Sequence, residues 1–167
     1  MKAILIPVKR FDQSKQRLAQ HFTPAAREAL AAAMCEDFFR MISAVRGIDR
    51  VFVVSSEPRA IDMARALKWN IISESQQVSE SRSVDAASHY CAMLGIGQLL
   101  RLPIDLPLAQ AEDIEAVFEK AGDPPCTVLV PSRGSTGTNA ILRSPPNLFR
   151  SHFGPGSFAR HVHEATE

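Results

Sequence analysis

The sequence predicts an α/β fold with a mostly parallel sheet and helices on both faces. Two observations carry this. Short apolar runs alternate with segments whose apolar residues recur at helical spacing, from one end of the chain to the other. And 167 residues, 46% apolar and 22% charged, suit one domain with a real core but not two.

The elements follow in order. Residues 3–8, "AILIPV", form a short apolar run that reads as a buried strand. A polar, basic loop covers residues 9–16. Thr23 and Pro24 supply an N-cap and a first-turn proline. Leu30, Met34, Phe38, Ile42 and Val45 then repeat at helical spacing, with Gly47 as the stop. "RVFVVSS" (50–56) is the clearest strand; Ser56 and Pro58 open a helix to about residue 68, and 70–74 is a weaker strand. A polar loop is expected over 75–83, with Ser83 capping a helix that ends near Gly95. Residues 98–105 read as a strand ending on Asp105, 111–121 as a short helix, 126–132 as a strand and 140–143 as a short strand. A last helix starts at Ser157, as its cap. The alternation is Rossmann-like, and ligands of such sheets bind beyond the carboxyl ends of the strands. Lys9, Asp105 and residues 133–139 all fall at such places.

Charge narrows the function classes. The formal net charge is +1, against a nucleic-acid binder. Locally the balance differs: residues 1–18 hold five basic side chains and one acid, and residues 124–163 hold four arginines and no acid. Two basic segments on a near-neutral chain suggest a site for a small anion. Cys35, Cys91 and Cys126 are widely spaced among apolar neighbours and read as buried thiols. No signal peptide or membrane-spanning run is visible, so a cytoplasmic location is expected.

Four stretches could carry chemistry. Lys9, Lys15 and Arg17 lie in the loop after the first strand and could neutralise phosphate, without the glycines of a Walker loop. In "LPIDLPL", Asp105 suits either a divalent cation shared with a nucleotide or a helix cap. In "GSTGTN", Gly134 and Gly137 would let backbone N–H groups approach a ligand, beside Thr136, Thr138 and Asn139. In "FGPGSFARH", Gly154, Gly156 and Ser157 open a helix, a ready anion site. The two glycine loops could meet in one pocket. The histidines show no metal spacing.

"IPVK", "SKQRLA", "PIDLPL", "GTNAIL" and "FGPGSFARH" occur in an order and at spacings that resemble the 2-phospho-L-lactate guanylyltransferase family, across nearly the whole chain. Its bacterial members use phosphoenolpyruvate or 3-phosphoglycerate. The resemblance implies a nucleotide-diphospho-sugar-transferase-like fold. It also implies transfer of GMP from GTP to a small phosphorylated acid, with pyrophosphate released, in coenzyme F-420 biosynthesis. By the same resemblance Lys9, Lys15 and Arg17 would grip the triphosphate and Asp105 would hold Mg²⁺. Asn139, Gly154 and Ser157, with Thr138 beside them, would seat the acid. Two departures stand out. The family usually continues with a strand carrying Asp-Ile-Asp, so residues 1–167 are expected to be a single nucleotidyltransferase domain lacking that C-terminal strand, a shortening that would favour a homodimer. And "SVDAAS" stands where the family more often has Leu-Asn, so that either Asp85 substitutes in nucleotide contact or the contact is lost. The competing expectation is a degenerate, non-catalytic protein that binds nucleotide or phospho-acid.

Overall fold

The computed structural model describes residues 1–74 and 79–167. Six strands form one sheet: β1 (Lys2–Val8), β2 (Arg50–Ser55), β3 (Asn70–Ser73), β4 (Gln98–Arg101), β5 (Cys126–Pro131) and β6 (Thr138–Ser144). Among the described residues four α-helices connect strands, α1 (Pro24–Ser43), α2 (Pro58–Ala66), α3 (Glu80–Met93) and α4 (Ala111–Glu119), and α5 (Ser157–Thr166) follows β6. The strand order is β3-β2-β1-β4-β6-β5.

β1, β2, β3 and β4 run parallel, as expected. The far side departs from a parallel sheet: β6 lies antiparallel between β4 and β5. The reason is the connection. Only six residues, 132–137, separate β5 from β6, too few for a crossover to a parallel neighbour. β6 reaches back to Thr138 and up to Ser144, longer than the short strand expected.

Side-chain alternation explains the unbroken apolar runs. In β1, Ile4, Ile6 and Val8 point into a core with α1, α2 and α4, while Ala3 and Leu5 point into a second core under α3. β4 and the residue after it repeat this: Leu100 and Leu102 join the first core and Leu99 the second. Arg101 therefore shares the α3 face with Leu99.

Helix starts follow local chemistry. Thr23 Oγ1 accepts from the Ala26 N–H (3.2 Å) with Pro24 behind it, as expected. α2 is capped by Glu57 rather than Ser56. α3 starts at Glu80, capped by Ser79, and Ser83 is buried inside it. Part of the polar loop expected over 75–83, residues 75–78, lies outside the described residues.

The sheet sets the site. The strand order reverses between β1 and β4: β2 and β3 extend one way from β1, and β4 starts the other. The carboxyl ends of β1 and β4 and the start of antiparallel β6 share one edge. Lys9, Arg101 and Thr138 stand there.

Candidate active site

The loop after β1 is mostly exposed, but Phe11 pins it. The Phe11 ring is buried, its N–H donates to Glu57 Oε2 (2.9 Å), and Arg59 covers the ring at 5.7 Å. From that anchor the loop walls a cleft of about 650 Å³, within the range of small-molecule sites. Lys9, Lys15 and Arg17 line it together with Glu80, Pro103, Ile104 and Asp105. The structure thus brings the four residues Lys9, Lys15, Arg17 and Asp105 into one cleft at the strand-order reversal.

Asp105 does not end β4. The strand stops at Arg101, and Pro103 has no N–H to continue the ladder. Asp105 sits four residues on, with its side chain 61% exposed, so its charge costs little to hold. Its Oδ1 lies 2.5 Å from Lys15 Nζ, while Lys9 Nζ lies 3.4 Å from Glu80. Among the described residues no three His, Cys, Asp or Glu side chains cluster to hold a metal. One exposed carboxylate facing an open cleft still fits Mg²⁺, whose other ligands are usually phosphate oxygens and waters.

The second group is built on β6 and α5. Pro131 pairs with Thr138 and Val130 with Ala140, so Asn139 is an extra residue in the ladder, a β-bulge. Regular alternation would leave Thr138 on the face of Ala140 and Leu142. The extra residue turns it to the other face, where α5 waits. There Thr138 Oγ1 is 3.2 Å from Ser157 Oγ and 2.9 Å from His161 Nδ1. Gly154 (φ +119°) and Gly156 (φ +71°) shape the turn into α5. Gly156, not Ser157, takes the N-cap position, which leaves the Ser157 hydroxyl to Thr138.

The two glycine loops therefore meet, but differently from expectation. Residues 132–137 close on themselves: the Gly137 N–H donates to Ser132 Oγ (2.9 Å) and the Ser132 N–H to Gly137 O (2.8 Å). The Gly137 N–H is consumed by the hairpin and is no ligand donor. The Thr138 hydroxyl, at the start of β6, makes the contact with Ser157 of the second loop.

His161 is the residue that sequence reasoning passed over. It is fully buried, with its ring 5.1 Å from Phe153 and edge-on. Nε2 accepts the His152 backbone N–H (2.8 Å), so the ring proton belongs on Nδ1, which donates to Thr138 Oγ1. Thr138 must then direct its own proton outward, to Ser157 or a ligand. Burial, then the positive charge of neighbouring His152, Arg143 and Arg101, pushes His161 down to about 4. The imidazole is neutral at pH 7, as this bonding requires. The spacing Ser157 to His161, one helical turn, was the signal available in the sequence.

Two buried arginines were also missed. Arg143 is satisfied: its guanidinium donates to Phe149 O (2.5 Å) and Ser88 Oγ (2.9 Å), 3.6 Å from Asp85. Asp85 in turn accepts the Ser151 N–H (3.0 Å). Asp85 is thus a tie between α3, β6 and the segment before Gly154. Arg101 is 4% exposed and lies over the Phe153 ring at 3.9 Å. Burial and the Arg143 charge pull it down to about 9, opposed by Asp105. Arg101 and Glu80 stand between the cationic cleft and the Thr138–Ser157 group, which does not line that cleft.

Cys35 and Cys91 are buried, and desolvation pushes both thiols up to about 12. Neither is a nucleophile at neutral pH. No described helix is long and apolar enough to cross a membrane.

The family model "Guanylyl transferase CofC like" matches residues 1–167. A phosphoenolpyruvate guanylyltransferase of Rubrobacter xylanophilus is 35% identical over 163 residues, 96% of this chain and 78% of that protein. A 2-phospho-L-lactate guanylyltransferase of Methanothermobacter thermautotrophicus is 31% identical over 98% of this chain and 70% of that protein. Among solved structures, a Desulfovibrio desulfuricans protein described as a nucleotide-diphospho-sugar transferase superposes with TM-score 0.70 at 12% identity, over 89% of this chain and 66% of that one. A 4-diphosphocytidyl-2C-methyl-D-erythritol synthase does so with TM-score 0.61 at 14% identity, over 98% and 86%. The fold is that of nucleotidyltransferases.

Proposed function

Because this chain belongs to the guanylyl transferase CofC-like family, we propose that it transfers GMP from GTP to a small phosphorylated acid and releases pyrophosphate, in coenzyme F-420 biosynthesis. The observation that carries this is the cleft at the β1/β4 reversal, where Lys9, Lys15 and Arg17 face Asp105. Phosphoenolpyruvate is the first acceptor to try, as named in the Rubrobacter relative; 2-phospho-L-lactate and 3-phosphoglycerate follow.

Nucleotidyl transfer needs no protein nucleophile. An acceptor phosphate oxygen attacks the α-phosphorus in line, the bond to the bridging oxygen breaks, and pyrophosphate leaves with the electron pair. Catalysis is then positioning and charge neutralisation. Lys9, Lys15 and Arg17 meet the charge that accumulates on the β- and γ-phosphates. Lys15 pairs with Asp105 and can turn to a phosphate. Asp105 would hold Mg²⁺, which neutralises phosphate oxygens. Thr138, Asn139, Gly154 and Ser157 seat the acid, with the Thr138 proton aimed by His161. Residues 1–167 work as one nucleotidyltransferase unit, in the cytoplasm where GTP is available.

Pyrophosphate release, coupled to a colour reaction, tests this. Purified protein with GTP and Mg²⁺ should release pyrophosphate only when one of the three acids is added. Folded protein that releases none with any of them rules the activity out.

A further inference from the structure

The two halves of the cationic loop are held differently. Residues 10–14 rest on the buried Phe11 ring and on turns of their own, with Ser14 Oγ donating to Arg10 O (2.9 Å). Residues 15–18 carry Lys15 and Arg17 into the cleft on one turn of 3₁₀ helix, closed by the Leu18 N–H on Lys15 O (2.9 Å). Among the described residues only two side-chain hydrogen bonds tie that turn to the rest of the protein. One runs from Lys15 Nζ to Asp105 Oδ1 (2.5 Å). The other runs from Arg27 Nη1 to Gln16 Oε1 (2.9 Å).

The two ties respond differently to a ligand. A phosphate that takes up Lys15, or a cation that takes up Asp105, undoes the first. The second involves neither of those charges and is untouched by the exchange. Lys15 makes this matter. Its backbone sits in the left-handed region (φ 56°, ψ 32°), which a residue with a Cβ rarely adopts. Such a conformation relaxes unless its surroundings fix it. Gln16 is the next residue, and its side chain is the fixed point that remains once Lys15 leaves Asp105.

Arg27 is well placed to supply that fixed point. It lies near the start of α1, 8% exposed, and Ala31, one helical turn further on the same face, lines the cleft. Among the described residues its only side-chain hydrogen bond goes to the neutral Gln16 amide, and Nε has no partner. A buried guanidinium so poorly compensated adds little to stability. Gln16 lines the cleft and Arg27 stands behind it.

We propose that Arg27 is a positioning residue for the triphosphate grip: through Gln16 it holds Lys15 in the left-handed conformation that aims its ammonium into the cleft. A cation aimed in advance loses less freedom when it meets phosphate, so affinity rises without a new contact. Arg27 does not touch the nucleotide; its effect passes through Gln16 to Lys15.

The inference rests on GTP as the ligand of this cleft, and the test separates the two. Calorimetry with Mg²⁺ present measures GTP affinity. Arg27→Met should weaken it about fivefold or more. Arg27→Lys, which can still donate to Gln16, should recover most of that loss. Gln16→Ala should match Arg27→Met, and the two together should lose no more than either alone. In a Lys15→Ala background, Arg27→Met should cost about twofold or less, because the ammonium it aims is gone. Unchanged GTP affinity in Arg27→Met would overturn the role of Arg27. So would an equal loss with and without the Lys15 ammonium, which is what a merely structural residue gives. Should Arg27→Met not fold, the exposed Gln16 decides: Gln16→Ala without effect, or with equal losses in the two backgrounds, overturns the role. Wild type that does not bind GTP with Mg²⁺ overturns the nucleotide reading of the cleft, and the Arg27 role with it.

Discussion

Replacing His161 by phenylalanine keeps a ring against Phe149 and Phe153 but removes both of its hydrogen bonds. The His152 N–H is then left buried without an acceptor, at about 1–3 kcal/mol, and Thr138 loses one bond worth about 1 kcal/mol. His161→Phe should therefore unfold about 2–4 kcal/mol more easily at pH 7.5. The pH dependence sharpens this. His161 titrates near 6.5 when unfolded and near 4 when folded. Between those values the unfolded chain holds the extra proton, so stability falls as pH falls. The full contribution is present above 6.5 and lost toward 4. A shift of that size corresponds to about 3 kcal/mol. The phenylalanine variant lacks this slope, and His152 and Glu164 are common to both proteins. Urea unfolding at pH 7.5 and pH 4.5 measures the difference. The gap between wild type and variant should be wide at pH 7.5 and close or reverse by pH 4.5. A gap of equal size at both pH values would show that the His161 bonding described here is wrong.

Other outcomes follow from the same geometry. Asn139→Ala and Ser157→Ala should raise the KM for the phosphorylated acid severalfold and leave that for GTP nearly unchanged, in steady-state kinetics; equal effects on both would undo the division of the site. Asp105→Asn should lower kcat about a hundredfold or more, and its remaining activity should respond weakly to Mg²⁺ titration, if Asp105 is the cation ligand. Phe11→Ala should cost about 3–5 kcal/mol in chemical denaturation, since the ring is buried and its loss leaves a cavity under the cationic loop. A loss under about 1 kcal/mol would mean the loop is anchored elsewhere.

Much of the architecture was legible because hydrophobic periodicity is a local signal. β1, β2 and α1 stand close to where their patterns place them, Thr23 and Pro24 included. Errors cluster where a local signal has two meanings. "RLPID" reads as one apolar strand, yet Pro103 ends the ladder early and carries Asp105 into the open. Ser83 looks like a cap, yet Ser79 lies one turn earlier and leaves Ser83 in the core. Gly137 looks like a backbone cradle, yet its N–H is already used by Ser132.

In the sequence, residue types and short spacings limited the kind of ligand. Its lysines and arginines after strands, its strand-following Asp105 and its two glycine-hydroxyl motifs suggest a small-anion site on an α/β fold, and their order and spacing resemble a guanylyltransferase family. These are properties of residue types and of short spacings. Only the tertiary structure decided which groups work together. The Asn139 bulge turns Thr138 toward His161, and the alternation of β4 places Arg101 on the α3 face, under Phe153 and against Glu80. Those partners lie 19 to 52 residues apart in the chain. No local pattern records such distances, because pairing across a sheet is set by register and by the burial of whole faces.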